Sequence, residues 1–188
     1  ALKIRRLKEP DKAAWHTLWR GYNAFYERDV EGRTTDRVWT SLQGGDGEPF
    51  GFVADHDGTL VGFTHYFFLP STSDWGPRCY MQDLFADPSM RGRGVGHKLI
   101  AAVYADADKN AAAQTYRLTT TSNKVAQKLY DRVAKLTPFV KYRRKAGRLA
   151  NVIERKLFAV VQRAKVPALD LRFFSLTVAK CRYFKSRF

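Results

Sequence analysis

A chain of 188 residues, 45% hydrophobic and 14% aromatic, can bury a full core in one domain without disulfides or metal, and it is too apolar for the disordered class. Its two cysteines, Cys79 and Cys181, exclude a disulfide framework and a zinc site with paired ligands, so a cytoplasmic protein is expected; residues 1–9 contain no apolar run of the kind a signal peptide or anchor needs. The net charge of +15 invites a nucleic-acid partner, but residues 141–188 hold 14 Lys/Arg against 2 Asp/Glu, which places the excess in the tail and leaves residues 1–140 nearly balanced.

In chain order, residues 2–6 alternate apolar and basic side chains, which predicts a short strand, and Pro10 stands where a first helical turn tolerates it. In the helix that follows, Trp15, Leu18, Trp19, Tyr22, Phe25 and Tyr26 recur at spacings of three and four, an aromatic stripe that predicts a core-facing side. A second helix is expected over 36–42, closed by Gly44-Gly45-Asp46-Gly47. The apolar runs 50–54 and 60–69 predict two antiparallel strands, because the Asp57-Gly58 step between them is a strong hairpin signal. A strand over 79–86 and a helix over 96–110 then flank a glycine-rich loop. A strand over 116–120, a helix over 123–135 capped by Ser122 or Asn123, and a strand over 139–142 complete the pattern. Together these elements predict an α/β fold of the α+β kind.

The run Arg91-Gly92-Arg93-Gly94-Val95-Gly96 lies between a predicted strand and a predicted helix. Glycines let backbone come close to a ligand, and exposed N–H groups at a helix N-terminus favour an anion such as a pyrophosphate. A tight connecting turn is the structural alternative. The run is not a P-loop, because Gly96 is followed by His97-Lys98 rather than Lys-Ser/Thr, and its glycine spacing differs from the dinucleotide fingerprint.

The segment from Met81-Gln82-Asp83-Leu84-Phe85-Ala86-Asp87-Pro88 through Gly96 resembles motif A of the GNAT acetyltransferases, Arg/Gln-x-x-Gly-x-Gly/Ala after a strand. Asn123-Lys124-Val125-Ala126-Gln127-Lys128-Leu129-Tyr130 resembles the later helix of the same family. The likeness extends over residues 1–144 and implies a mixed, mostly antiparallel central sheet flanked by helices. It also implies acetyl-CoA as cofactor, no metal, and direct attack of a primary amine on the thioester. By that resemblance Leu84, Phe85 and Ala86 would form the strand edge along which the pantetheine arm pairs, with an N–H of Leu84 or Phe85 polarising the carbonyl. The amides from Arg91, Gly92, Arg93, Gly94, Val95 and Gly96 into His97 would hold the pyrophosphate, with Asn123 and Ala126 beside the cofactor. Arg91 and Arg93 would add charge, or would simply be solvated loop arginines.

Tyr130 matches the family tyrosine that faces the cofactor sulfur and is the candidate proton donor to the departing thiolate. The base is less determined. Asp83, acting directly or through a water, is the first candidate, since Gln82, expected here as a substrate-binding residue, stands where related polyamine enzymes carry a glutamate. Glu27 is a second candidate, as base or as a substrate-binding acid within the cluster Glu27, Asp29 and Glu31, although solvated acids explain that cluster equally well. His65, on an apolar strand, reads as a hydrogen-bonded core residue. The aromatic first helix is similar to that of members acting on polyamines or other small amines, and a small amine such as a polyamine or amino acid is the expected substrate. The alternatives are a protein-lysine or protein N-terminal acetyltransferase, and a non-catalytic CoA-fold binding module.

The extension 145–188 carries Leu149, Val152, Ile153, Leu157, Val160 and Val161 at helical spacing with arginines and lysines elsewhere, and 169–183 mixes apolar and basic residues like a further strand. Docking on the domain or self-association as a homodimer is the preferred reading of this tail. A patch for nucleic acid or membrane lipid, and an accidental or frame-altered extension, stand as alternatives.

Overall fold

Apolar strands separated by turn residues build one five-stranded sheet with helices on both faces, seen in a computed structural model that describes residues 1–44 and 48–144. In chain order the elements are β1 (Leu2–Arg5), α1 (Lys12–Phe25), α2 (Gly32–Leu42), β2 (Phe50–His56), β3 (Thr59–Leu69), β4 (Arg78–Ala86), α3 (Val95–Lys109), β5 (Gln114–Arg117) and α4 (Lys124–Tyr130). The strands lie side by side in sequence order, antiparallel from β1 to β4, with β4 and β5 parallel. A parallel pair cannot be joined by a hairpin, and α3 supplies the crossover. The expected mixed, mostly antiparallel sheet is therefore the one formed. The chain divides into two units, Ala1–Leu136 and Thr137–Phe188, and every element named above belongs to the first.

The aromatic stripe of α1 splits in two. Trp15, Leu18, Trp19 and Tyr22 are buried against Trp39 of α2 and against Phe63 and Phe85 of the sheet. The Trp15 ring lies 5.8 Å from that of Trp19 and 5.2 Å from that of Trp39, pairings that add to the burial of large apolar surfaces. Phe25 is 55% exposed and Tyr26 is half-buried, so the end of the stripe leaves the core. On the opposite face of the sheet, Leu99, Ile100, Val103 and Ala107 of α3 are buried, and Ile100, Val103 and Ala107 cluster with Tyr66, Cys79 and Met81. Burial pushes the Cys79 thiol up to about 11, which keeps it protonated and unreactive.

A bulge at β4 decides which of its side chains reach which face. His65 pairs with Asp83 and Tyr66 with Met81, leaving Gln82 as the extra residue. In a regular strand positions 79, 81, 83 and 85 share a face. Here Cys79 and Met81 pack on the α3 side, whereas Asp83 and Phe85 face α1. One inserted residue thus redirects the second half of the strand.

Several expectations are corrected. β5 ends at Arg117 rather than Thr120, because the chain past Leu118, itself 46% exposed, leaves the edge of β4. α4 stops at Tyr130 instead of Lys135, where Arg132 and Val133 close turns onto the carbonyls of Leu129 and Tyr130. α2 begins at Gly32, four residues before the expected start. The Trp19 indole donating to Thr35 (3.2 Å) and the packing of Trp39 hold that weak helix former in place. No strand forms over 139–142 among the described residues. Phe139 and Val140 are adjacent, so a strand would turn them to opposite faces, and both are exposed. The helix and strand expected beyond residue 144 lie outside the described residues.

Candidate active site

The early end of β5 opens the sheet. β5 pairs with β4 only from Arg78 to Met81, and from Gln82 onward the outer edge of β4 has no strand partner among the described residues. The Asp87 N–H donates to the Val61 carbonyl (2.9 Å), and the Phe85 carbonyl faces Gly62 of β3. Backbone groups alternate from side to side along a strand, so Leu84 and Ala86 turn their N–H and C=O toward the open edge.

The glycine-rich run leads directly into α3. Gly92 and Gly94 have positive φ, 76° and 80°, and Gly94 is the left-handed N-cap of the helix. Nothing lies within 4 Å of where a Cβ would stand on either residue. Glycine is therefore required for the backbone conformation, and the space above it is open. The first bond of the helix runs from Lys98 N–H to Gly94 O (3.0 Å), so the N–H groups of Val95, Gly96 and His97 have no intrahelical acceptor. The Arg91 and Arg93 amides instead close turns onto Pro88 and Met90, which narrows the expected cradle to Gly92 and the residues from Gly94 to His97. At Gly96 an added Cβ would lie 2.9 Å from the Leu129 side chain, so this glycine serves the packing of α4 against α3.

The strand edge and the helix N-terminus border one cleft of about 680 Å³. Its walls include Tyr22, Phe25 and Tyr26, the edge residues Leu84, Phe85 and Ala86, the loop residues Arg91, Gly92, Gly94 and His97, and Asn123, Ala126 and Tyr130 from α4. Its charged walls are Arg91, Lys128 and Arg132, with no carboxylate among the residues that line it. An open strand edge, free amides at a helix N-terminus and cationic walls suit a long ligand bearing phosphates. Arg93, Val95 and Gly96 are not among the lining residues; Val95 is buried in the core. The Asn123 side-chain Oδ1 accepts from Ala126 N–H (3.1 Å) and caps α4. Gln82 is exposed on the bulge and does not line the cleft. Glu27 lines a second cavity of about 450 Å³, together with Phe25, Tyr26, Thr120, Ser122, Asn123, Lys124 and Val125.

The candidate base is placed differently from expectation. Asp83 is 2% exposed, accepts from the Tyr22 hydroxyl at 2.7 Å through Oδ1, and meets His65 Nδ1 at 3.1 Å through Oδ2. The Trp15 indole can only donate, and it donates to His65 Nε2 at 3.1 Å; Nδ1 therefore carries the proton that faces Asp83. His65 is the buried, hydrogen-bonded residue that its strand suggested. Both Asp83 oxygens are engaged inside the protein, so the carboxylate meets the cleft only through Tyr22. Burial, with the Asp83 carboxylate beside it, pushes the Tyr22 phenol well above the ordinary tyrosine value. Replacing Asp83 by Ala strands two buried donors, and urea unfolding is expected to show a loss of about 2 kcal/mol.

Tyr130 is half-buried in the cleft wall, and burial raises its phenol above the ordinary value while Arg117 lowers it. The Arg117 guanidinium carbon stands 4.8 Å from the Tyr130 ring centroid, a neighbour that was not legible, since nothing in its local sequence distinguishes a strand-end arginine. Tyr22 was legible only as part of a core stripe.

The family model for the acetyltransferase (GNAT) family matches residues 13–134. The chain belongs to the GNAT acetyltransferase family. It is 30% identical over 145 residues to the D-amino-acid N-acetyltransferase HPA3 of Saccharomyces cerevisiae, covering 75% of this chain and 89% of that protein. It is also 28% identical over 132 residues, 69% and 87% of the two chains, to the uncharacterized N-acetyltransferase YhfO of Bacillus subtilis. Among solved structures, the aminoglycoside acetyltransferase AAC(6')-Iy with a bisubstrate analog shares the fold at a TM-score of 0.68 and 22% identity, over 78% of this chain and 99% of that one. A ribosomal-protein-alanine N-acetyltransferase from Brucella melitensis does so at 0.67 and 19%, over 78% and 99%. As a GNAT enzyme the protein is an N-acetyltransferase with acetyl-CoA as the acetyl donor. No helix among the described residues is long and apolar enough to cross a membrane.

Proposed function

We propose that this GNAT enzyme acetylates the amino group of a small amine, with free amino acids as the first substrate class. The observation carrying this reading is the second cavity, which shares Phe25, Tyr26, Asn123 and Val125 with the main cleft and adds Glu27 and Lys124. One carboxylate and one ammonium on a cavity of that size offer complementary charge to a zwitterion. The relative named as a D-amino-acid N-acetyltransferase supports the same class.

Acetyl-CoA supplies, when bound, an acetyl group already activated as a thioester. The open groups of Leu84 and Ala86 would hold its arm as an added strand, and the free amides of Gly94 to His97 would hold its pyrophosphate, with Arg91 alongside. Tyr130 gives its proton to the departing sulfur, and the amine loses its own proton to solvent. Asp83 acts as a positioning residue, fixing the Tyr22 ring that walls the cleft, and Glu27 orients the incoming ammonium.

A thiol-release assay with acetyl-CoA tests the substrate class across D- and L-amino acids, spermidine, an aminoglycoside and an alanine-terminated peptide. Turnover of amino acids at rates at least about tenfold above the other acceptors is expected. Exclusive turnover of spermidine, of the aminoglycoside or of the peptide sinks the amino-acid reading.

A further inference from the structure

Arg117 ends β5 where the sheet opens, and it carries its charge in an unusual setting. Its Nη2 donates to the Tyr104 hydroxyl of α3, which in turn donates to the Val133 carbonyl at 3.2 Å, just past α4. Its Nη1 is buried and has no hydrogen-bond partner. The guanidinium carbon stands 4.8 Å from the ring centroid of Tyr130 and 5.4 Å from that of Tyr104. Among the described residues no carboxylate pairs with it. A half-buried cation over an aromatic face, without a counter-ion, is attracted to that ring and acts on it at short range.

We propose that Arg117 is a positioning residue for the reaction, holding the Tyr130 ring in place and making its phenol a stronger acid. This rests on the reading of Tyr130 as the proton donor. The Tyr130 O–H bond breaks, its proton goes to the sulfur leaving the acetyl carbon, and the phenolate left behind is held by the guanidinium until solvent returns a proton. The attraction between ring and cation grows as the phenol loses its proton, so Arg117 favours the later stage of the transfer over the earlier one. Burial opposes the same change and Tyr26 adds to that opposition, while Arg117 counters both. The remaining titratable groups on the cleft are Arg91, His97, Lys128, Arg132 and Tyr22. All of them stay in place when Arg117 is changed.

The test compares the unaltered 188-residue chain with Arg117→Met, Arg117→Gln, Arg117→Lys and Tyr130→Phe. The Tyr130 phenol is titrated by NMR on tyrosine labelled at Cζ, with Tyr130→Phe assigning its signal. Turnover is read as thiol release with a mixture of D- and L-amino acids. In Arg117→Met and Arg117→Gln the Tyr130 midpoint is expected to move to higher pH, because the neutral phenol is no longer disfavoured. kcat at neutral pH should fall about tenfold while the acetyl-CoA dissociation constant holds. Arg117→Lys, which keeps the charge and loses the planar guanidinium, should fall between. A purely structural role would lower the melting temperature and leave the titration of Tyr130 unmoved. An unmoved midpoint, with Tyr130→Phe itself strongly impaired, overturns the proposal and leaves the donor assignment intact. Undiminished turnover in Tyr130→Phe sinks the donor assignment and this proposal with it.

Discussion

Tyr130→Phe is expected to lower kcat about a hundredfold with little change in the dissociation constant for acetyl-CoA. The substitution removes one oxygen from a half-buried side chain whose ring stays packed against the core cluster that includes Ile100 and Val103 of α3. The hydroxyl makes no hydrogen bond among the described residues, so its loss leaves no orphaned partner and stability should hold. What is lost is the proton for the departing thiolate, an effect confined to the chemical step. Steady-state kinetics with parallel calorimetry separate the two quantities. A fall in affinity with kcat intact would mark Tyr130 as a wall of the cleft rather than a donor.

Gly94→Glu is expected to weaken acetyl-CoA binding more than about a hundredfold, because it places a carboxylate in the space above the free amides of α3. Two effects combine in that variant. The left-handed backbone at Gly94, φ 80°, costs any other residue about 1–2 kcal/mol, and the added carboxylate competes with a phosphate for the same N–H groups. Gly94→Ala separates them, since it carries the backbone strain without the charge and meets nothing within 4 Å. Calorimetric titration should show Gly94→Ala binding nearly as the parent does and Gly94→Glu carrying the large loss. Equal, undiminished binding in both variants would move the anion site away from the helix N-terminus.

The strands, the aromatic helix and the glycine-rich turn were legible because each is a local matter. A Trp15-Leu18-Trp19-Tyr22 spacing has one apolar face whatever surrounds it, and an Asp57-Gly58 step turns a hairpin by its own dihedral preferences. The turn from Gly92 to His97 was readable for the same reason: a strand, a glycine run and a helix start are consecutive, and they needed no distant partner. α2 was half legible, because Gly32, Thr34 and Thr35 are weak helix formers and its first turn is held by Trp19 and Trp39, contacts that only packing supplies.

From its order of residues alone, this protein had an α/β fold, a glycine-rich turn ahead of α3 and a tyrosine at the end of α4. Only the tertiary structure decided what became of Asp83 and Arg117. The bulge at Gln82 turns Asp83 inward to Tyr22 and His65, and the early end of β5 sets Arg117 against Tyr130. A one-residue slip in strand register reverses every side chain beyond it, and a cation finds its aromatic partner across elements far apart in the chain; neither is written in any short stretch of sequence.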